Sequence, residues 1–224
     1  FANGFLIGSA MMEHDDLNAA VRRVLLGENK VCGLTREQDA QAAYEAGAIY
    51  GGLIFVDSSP RAVSVEQARK VIAAAPLSYV GVFRNADIAD VAAKADALSL
   101  SAVQLHGDED QIYIDALRAA LAPQVQIWKA QSVGDTLPSR NLNHVDKYVL
   151  DNGQGGTGQR FDWSLLNGAK LDNVLLAGGL GPDNCVEAAK TGCAGLDFNS
   201  GVESQPGIKD ASKLASVFKT LRAY

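Results

Sequence analysis

Long apolar runs are missing from this chain of 224 residues. No stretch reaches the roughly eighteen residues of a membrane span, and no basic start followed by a small-residue cleavage site marks a secretory signal. An excess of positive charge is missing too. Lys plus Arg number 20 against 26 for Asp plus Glu, a net charge of -6, which argues against the polyanion-binding surface that nucleic acid requires. A phosphate ligand would have to be held by local donors. Cysteine is scarce: Cys32, Cys185 and Cys193 make an odd count without paired metal-ligand spacing, as suits a reducing cytoplasm. The three histidines, His14, His106 and His144, do not cluster, and no metal site is expected. What is abundant is apolar content, 47%, enough for one well-packed domain and too little for two large ones.

Residues 174–203 carry one device twice. Val174-Leu175-Leu176-Ala177 is a short strand-type run ending in Gly178-Gly179, after which Pro182 and Asp183 open a helix. Gly195-Leu196-Asp197-Phe198 is a second such strand, followed by Asn199-Ser200-Gly201 and the first turn of another helix. Glycine lets backbone N–H groups approach a ligand, and a helix start adds unpaired donors with partial positive charge. Either half alone reads equally well as a helix cap and turn. Both together, at the end of an alternating strand–helix chain, match the phosphate clamp that follows strands seven and eight of a (β/α)8 barrel.

From residue 30 onward the alternation is regular. Strands are expected at residues 31–34, 49–56, 79–83, 102–105, 125–130 and 147–151, before the two already placed. Thr35 is positioned to cap the first barrel helix with Gln38 in capping-box spacing, Ser64 caps the next, and a weaker helical stretch lies near residues 136–141. The polar loop Asn152-Gly153-Gln154-Gly155-Gly156-Thr157-Gly158 is too long for a plain turn and is expected to close over a ligand. Units averaging about 24 residues are close to the minimum for a closed parallel barrel. A doubly wound open sheet is the alternative; it would need a dinucleotide loop after its first strand, and Cys32-Gly33-Leu34-Thr35 is not one.

Residues 1–26 fit this scheme poorly. Phe5-Leu6-Ile7-Gly8-Ser9 reads as a strand end with its own turn, and Asp15 or Asp16 caps a helix with apolar positions Leu17, Val21, Val24 and Leu25. The expected organisation is therefore an extension over 1–26, the tail of another domain, and a barrel over 27–224.

Reactive side chains of such barrels stand at the C-terminal ends of strands. Here these are Cys32 after strand one, Arg61 in the loop after strand two, Gln104 and His106 at strand four, and Asp151 at strand six. Each has an ordinary reading alone: a buried structural thiol, a solvated loop charge, satisfied polar groups and a turn carboxylate beside Asn152-Gly153. As a set, a thiol, a carboxylic acid and a guanidinium face one phosphate clamp. Trp128 and Trp163 are expected in the core or at the rim.

Lys30-Val31-Cys32-Gly33-Leu34-Thr35, Ser59-Pro60-Arg61, Val103-Gln104-Leu105-His106-Gly107, Leu150-Asp151 with Gly155-Gly156-Thr157-Gly158 and Phe161-Asp162-Trp163-Ser164, and Ala177-Gly178-Gly179-Leu180 together resemble phosphoribosylanthranilate isomerase. The likeness covers roughly residue 29 to the C-terminus. Residues 1–26 resemble the last strand and helix of indole-glycerol-phosphate synthase, to which the isomerase is fused in some bacteria. The resemblance implies a small phosphoribosyl substrate, an Amadori rearrangement in tryptophan biosynthesis, and neither cofactor nor metal. It makes Asp151 the general acid that opens the ribose ring and Cys32 the base that removes the C2 proton. Arg61 matches the position that pairs with the anthranilate carboxylate, Gln104 and His106 fall to substrate binding, and Gly178, Gly179, Asn199, Ser200 and Gly201 to the phosphate.

Those roles make physical demands. An aspartic acid of ordinary pKa, about 3.9, is protonated about once in a thousand at pH 7, which adds roughly 4 kcal/mol to the barrier. Asp151 should therefore have a raised pKa, through burial or a neighbouring carboxylate. Cys32 has the opposite need and would gain from a cation; the sequence does not decide whether Lys30 supplies it.

Overall fold

The computed structural model describes residues 17–152 and 161–222. The strand expected at 5–9, the Asp15 or Asp16 cap and the glycine-rich loop 153–160 lie outside them. The described chain runs α1 (Leu17–Leu26), β1 (Lys30–Val31), α2 (Glu37–Ala46), β2 (Tyr50–Ile54), α3 (Val65–Ala74), β3 (Ser78–Phe83), α4 (Ile88–Ala97), β4 (Ala102–Leu105), α5 (Gln111–Ala120), β5 (Gln126–Val133) and β6 (Lys147–Asn152). A 3-10 turn (Trp163–Leu166), β7 (Val174–Leu176), α6 (Cys185–Ala189), β8 (Gly195–Phe198), a 3-10 turn (Ser200–Val202), β9 (Glu203–Gln205), β10 (Ile208–Lys209) and α7 (Ala211–Arg222) complete it.

Strands β1 to β8 close into a barrel in sequence order. Closure occurs where β1 pairs with β8 in parallel, Lys30 against Asp197 and Val31 against Phe198. Alternation along the strands sends one set of side chains inward and the other toward the helices. Inside lie Tyr50, Val80, Ala102, Trp128, Val149 and Leu175, with Tyr50 and Trp128 packed edge to face at 4.9 Å. Above them, toward the C-terminal ends of the strands, Cys32, Ile54 and Val82 form a smaller layer. The opposite set, including Val31, Leu53, Phe83, Leu105, Leu150 and Leu176, packs under the helices. Trp163 packs against this outer shell, so neither tryptophan stands free.

Several local expectations differ from what forms. Thr35 does not cap α2: its hydroxyl donates to the Gly207 carbonyl at 2.5 Å, and Arg36 takes the cap position without a side-chain bond. A tertiary contact has displaced the local capping box. Ser64 does cap α3, accepting from the Gln67 N–H at 3.1 Å. Residues 136–141 are not helical, because Pro138 lacks an N–H and restricts Leu137 to extended backbone. Between β8 and α7 the chain makes a small antiparallel hairpin, β9–β10. It turns at Pro206-Gly207, where Gly207 has φ +80°, the left-handed conformation that a type II turn requires. This hairpin sets two further charged residues, Glu203 and Lys209, beside the barrel mouth.

Helix α1 lies against the N-terminal end of the barrel. Ala20 is buried, Arg22 donates to the carbonyls of Tyr44 at 2.7 Å and Ala48 at 3.3 Å, and its guanidinium lies 4.2 Å from the Tyr44 ring centroid. Three of the four apolar positions read in this helix, Leu17, Val24 and Leu25, are 48%, 49% and 69% exposed.

Candidate active site

The C-terminal mouth gathers Cys32, Gln104, His106, Asp151, Gly178, Gly179, Asn199 and Ser200 around one cavity, together with Asp197, which sequence reading treated only as a strand residue. Arg61 and Gly201 stand just outside its lining.

Cys32 follows β1, its N–H held by the Phe198 carbonyl at 2.8 Å. Its position depends on Gly52 of β2. A Cβ there would lie 2.7 Å from the Cys32 sulfur, 2.9 Å from its Cα and 3.1 Å from Cε of Lys30, so the missing side chain makes room for both. Lys30 is two residues before Cys32 on the same strand face. Its Nζ donates to Asp197 Oδ2 at 2.7 Å, with side-chain exposures of 0% and 7%. Burial raises the thiol pKa, the Lys30 cation opposes that, and Asp197 adds to it. A cation able to favour a thiolate at Cys32 is therefore present, but it is shared with an anion and burial prevails.

Asp151, at the end of β6, is pushed up to about 6, chiefly by burial, with the Asn152 N–H pulling down and the Asp197 charge pushing further up. This is the direction an acid working near neutrality requires. Asp151 Oδ1 accepts that N–H at 2.7 Å. His106 is held below its ordinary value by burial and by the Lys30 charge, which favours the neutral ring. Its Nδ1 lies 3.3 Å from Gln104 Nε2. Gln104 Oε1 and Asp197 Oδ1 are both buried without a hydrogen-bond partner. Two lone acceptors thus belong to residues lining the cavity, as a site for hydroxyl-bearing ligands would have.

The two glycine turns meet backbone to backbone. A Cβ on Gly201 would fall 2.1 Å from the Leu180 carbonyl oxygen, and one on Gly181 3.0 Å from that of Gly201. Gly178 and Gly179 have φ +96° and +62°, so glycine is required at this end of the clamp. Helix α6 begins at Cys185, after the expected opening at Pro182 and Asp183, and Asn184 ties the turn down by accepting from Gly181 N–H at 2.9 Å and donating to the Gly179 carbonyl at 3.0 Å.

Arg61 comes from the loop after β2 and is not waiting in solvent. Its Nε and Nη2 grip Glu203 of β9 at 2.9 and 2.7 Å, and Lys209 of β10 donates to the same carboxylate at 2.8 Å. Gly33, at φ +71°, admits this arrangement, since a Cβ would lie 2.7 Å from Arg61 Cδ and 2.9 Å from Asn199 Oδ1. Glu203, Lys209 and Asp197 were missed as site residues, and Lys30 was weighed only as an undecided source of the cation beside Cys32. A charge in the middle of an apolar strand was the available signal for Asp197, and i, i+2 spacing to Cys32 for Lys30. Nothing local marks Glu203, which lies 142 residues from Arg61. Among the described residues, no cluster of three or more His, Cys, Asp or Glu side chains has metal-binding geometry.

A closed eight-stranded parallel barrel with an elevated carboxylic acid, a thiol and paired glycine turns at its C-terminal mouth has the make-up of a barrel enzyme acting on a phosphorylated small molecule. The family profile described as N-(5'-phosphoribosyl)anthranilate (PRA) isomerase matches residues 29–220, and the chain belongs to that family. It is 79% identical over 224 residues to the tryptophan biosynthesis protein TrpCF of Salmonella typhi, covering 100% of this chain and 50% of that protein. It is 54% identical over 228 residues to TrpCF of Vibrio cholerae, covering 48% of it. The chain thus spans about half the length of the curated relatives it matches. Among solved structures, phosphoribosyl anthranilate isomerase from Thermus thermophilus superimposes with a TM-score of 0.77 at 30% identity, covering 88% of this chain and 98% of that one. An isomerase in complex with reduced 1-(o-carboxyphenylamino)-1-deoxyribulose 5-phosphate gives 0.73 at 30% identity, covering 88% and 100%. No helix among the described residues is long and apolar enough to cross a membrane.

Proposed function

We propose that this barrel catalyses the Amadori rearrangement of N-(5-phosphoribosyl)anthranilate to 1-(2-carboxyphenylamino)-1-deoxyribulose 5-phosphate in tryptophan biosynthesis. The observation that carries the reading is the pairing of Asp151, elevated to about 6, with Cys32 on the lining of one cavity. With that value, roughly one Asp151 in ten holds its proton at pH 7, and the shortfall in the acid costs about 1.4 kcal/mol instead of about 4. Protonated Asp151 gives its proton to the ribose ring oxygen as the C1–O bond breaks, leaving a cationic Schiff base. That cation acidifies C2–H, and Cys32 as thiolate removes the proton to give the enolamine, which tautomerises to the ketone. Lys30 beside Cys32 stabilises the thiolate.

The glycine turns at Gly178, Gly179, Asn199, Ser200 and Gly201 hold the 5-phosphate with backbone N–H groups. Gln104 and His106 meet the sugar, with Gln104 Oε1 free to accept from a hydroxyl, and Arg61 takes the anthranilate carboxylate. No cofactor enters this scheme. In its natural chain the barrel follows an indole-glycerol-phosphate synthase domain, a reading supported by the half-length match to the TrpCF proteins and by the front segment 1–26. Free Cys32, Cys185 and Cys193 suit a reducing cytoplasm.

The test is turnover itself. The purified chain should consume the fluorescent anthranilate sugar and yield the ketose product. A folded chain that binds a product analogue without turnover would make this a phosphate-binding domain, and turnover of another phosphosugar in its place would make it a different isomerase on the same barrel.

A further inference from the structure

We propose that Glu203 is the positioning residue that aims Arg61 at the substrate's carboxylate, so that one edge of the guanidinium is fixed to the protein and the other is presented to the ligand. The inference rests on the role given to Arg61 above. A guanidinium has two edges that can each take a carboxylate: Nε with Nη2, and Nη1 with Nη2. Glu203 occupies the first, with Nε at 2.9 Å from Oε1 and Nη2 at 2.7 Å from Oε2. Among the described residues, Nη1 has no hydrogen-bond partner. A fork held on one side cannot rotate, and only its Nη1/Nη2 edge can meet a second anion.

The anchor is itself held. Glu203 is 4% exposed and also accepts from Lys209 Nζ at 2.8 Å and Gly207 N–H at 3.1 Å. Lys209 reaches on to Asn199, 3.0 Å to Oδ1 and 3.4 Å to the carbonyl. A continuous set of contacts thus runs from Arg61 through Glu203 and Lys209 to the loop assigned to the phosphate. Charge supports the same reading, because two cations share one carboxylate, leaving a single uncompensated positive charge that a substrate carboxylate would neutralise. The hairpin β9–β10 gains a purpose by this reading: its Pro206-Gly207 turn brings Glu203 and Lys209 onto one another at the barrel mouth.

Positioning can be told apart from charge and from bulk structure. Replacing Glu203 by Gln removes an anion and leaves the cluster more positive, so Coulomb attraction alone would tighten the binding of a carboxylate. Loss of the fork predicts the reverse. The measurement is the affinity of two ligands, reduced 1-(o-carboxyphenylamino)-1-deoxyribulose 5-phosphate and its counterpart lacking the carboxyl group, for the parent, R61Q, E203Q and E203D. R61Q should weaken the carboxylate ligand by about tenfold or more and the other by less than about twofold. E203Q should show the same selectivity, about fivefold, and should raise KM more than it lowers kcat. Because the two affinities are compared within one protein, a partly inactive preparation does not change their ratio. E203D keeps the charge but cannot span both guanidinium nitrogens and Lys209; it should also be selective, and it is the variant read if E203Q does not fold. If E203Q weakens both ligands equally, leaves both unchanged or tightens the carboxylate ligand while R61Q remains selective, the role of Glu203 is overturned and that of Arg61 stands. If R61Q is not selective, both fall together.

Discussion

Lys30 on β1 and Asp197 on β8 stand opposite each other where the barrel closes, and their side chains meet at 2.7 Å in its interior. The ladder register makes this contact, since the two residues are paired Cα to Cα and both point inward. One charge of the pair lies beside the thiol and the other pushes up both Cys32 and Asp151. The closure seam of the sheet is therefore also the electrostatic centre of the site.

Asp197→Asn should lower the Cys32 pKa, because the neighbouring anion that opposes ionisation is gone while Lys30 remains. Alkylation of Cys32 by a small haloacetamide should then reach half-maximal rate at a lower pH than in the parent. Stability should fall by about 3 kcal/mol, the lower end for breaking a buried ion pair. An alkylation midpoint that stays put or rises would remove Asp197 from the electrostatics of the thiol.

The pH dependence of the parent follows from the two directions of shift. The proposed mechanism requires Asp151 protonated and Cys32 ionised, the reverse of their resting states. Between about 6 for Asp151 and the raised thiol value, the product of those two fractions is constant, and it falls on either side. A plot of kcat/KM should rise with pH, level off near pH 6, and fall only above the ordinary range of a free thiol. A profile peaking sharply near pH 7 would contradict this assignment of protonation states.

The same shift has a stability signature. A carboxyl group whose folded pKa, about 6, exceeds its unfolded 3.8 contributes stability that is fully present below 3.8 and is lost as pH rises through about 6. Asp151→Asn removes that loss. At pH 7 the variant should be more stable than the parent by up to about 3 kcal/mol, and near pH 3 the two should match. Denaturant unfolding at both pH values measures it, and equal stabilities at pH 7 would mean that burial does not raise the pKa of this carboxyl.

Gly52→Ala tests the space in which the thiol and Lys30 are held. The added Cβ meets Cys32 Cα at 2.9 Å as well as its sulfur at 2.7 Å, and backbone cannot give way as a side chain can. Overpacking should cost about 1–3 kcal/mol of stability, and the displaced thiol should lose about tenfold or more in turnover. Turnover within twofold of the parent would show that the position of Cys32 is not critical.

Residues 1–26 are expected to be dispensable for chemistry, since the barrel has its own eighth strand and α1 packs at the end away from Cys32 and Asp151. A chain starting at Gly27 should keep KM and kcat within about threefold, roughly 0.7 kcal/mol. Its melting temperature should fall, because the Arg22 bonds to Tyr44 and Ala48 and the burial of Ala20 are lost. A tenfold loss of turnover in a folded truncated chain would mean that the segment helps to build the site.

How much of this was legible in the sequence follows from the range of each interaction. The eight barrel strands were, because short apolar runs between glycines and caps are local signals; their ends were less so, β1 forming only Lys30–Val31 where residues 31–34 were expected and β5 running on to Val133, three residues past its expected end. The Thr35 cap was not, since its hydroxyl is taken by Gly207, 172 residues away. The β9–β10 hairpin had a local mark in Pro206-Gly207 that the strand–helix alternation obscured. At the site, Cys32 and Asp151 stood out because strand ends carry barrel chemistry. Asp197 lay inside a strand and was read only as part of it, although buried charges are rarely incidental, and for Lys30 the sequence left open whether its side chain shares a face with Cys32. The partner of Arg61 could not be read at all, because it depends on a turn far along the chain.

In the proposed mechanism Asp151 and Cys32 perform the acid–base work of the rearrangement. The most direct measurement follows loss of anthranilate-sugar fluorescence for Cys32→Ala and Asp151→Asn, beside the binding of a product analogue to the same preparations. Each variant should bind the analogue with little change and turn over at least about 100-fold more slowly, the lower range for general acid–base catalysis. Near-normal turnover in either variant would contradict the account for that residue.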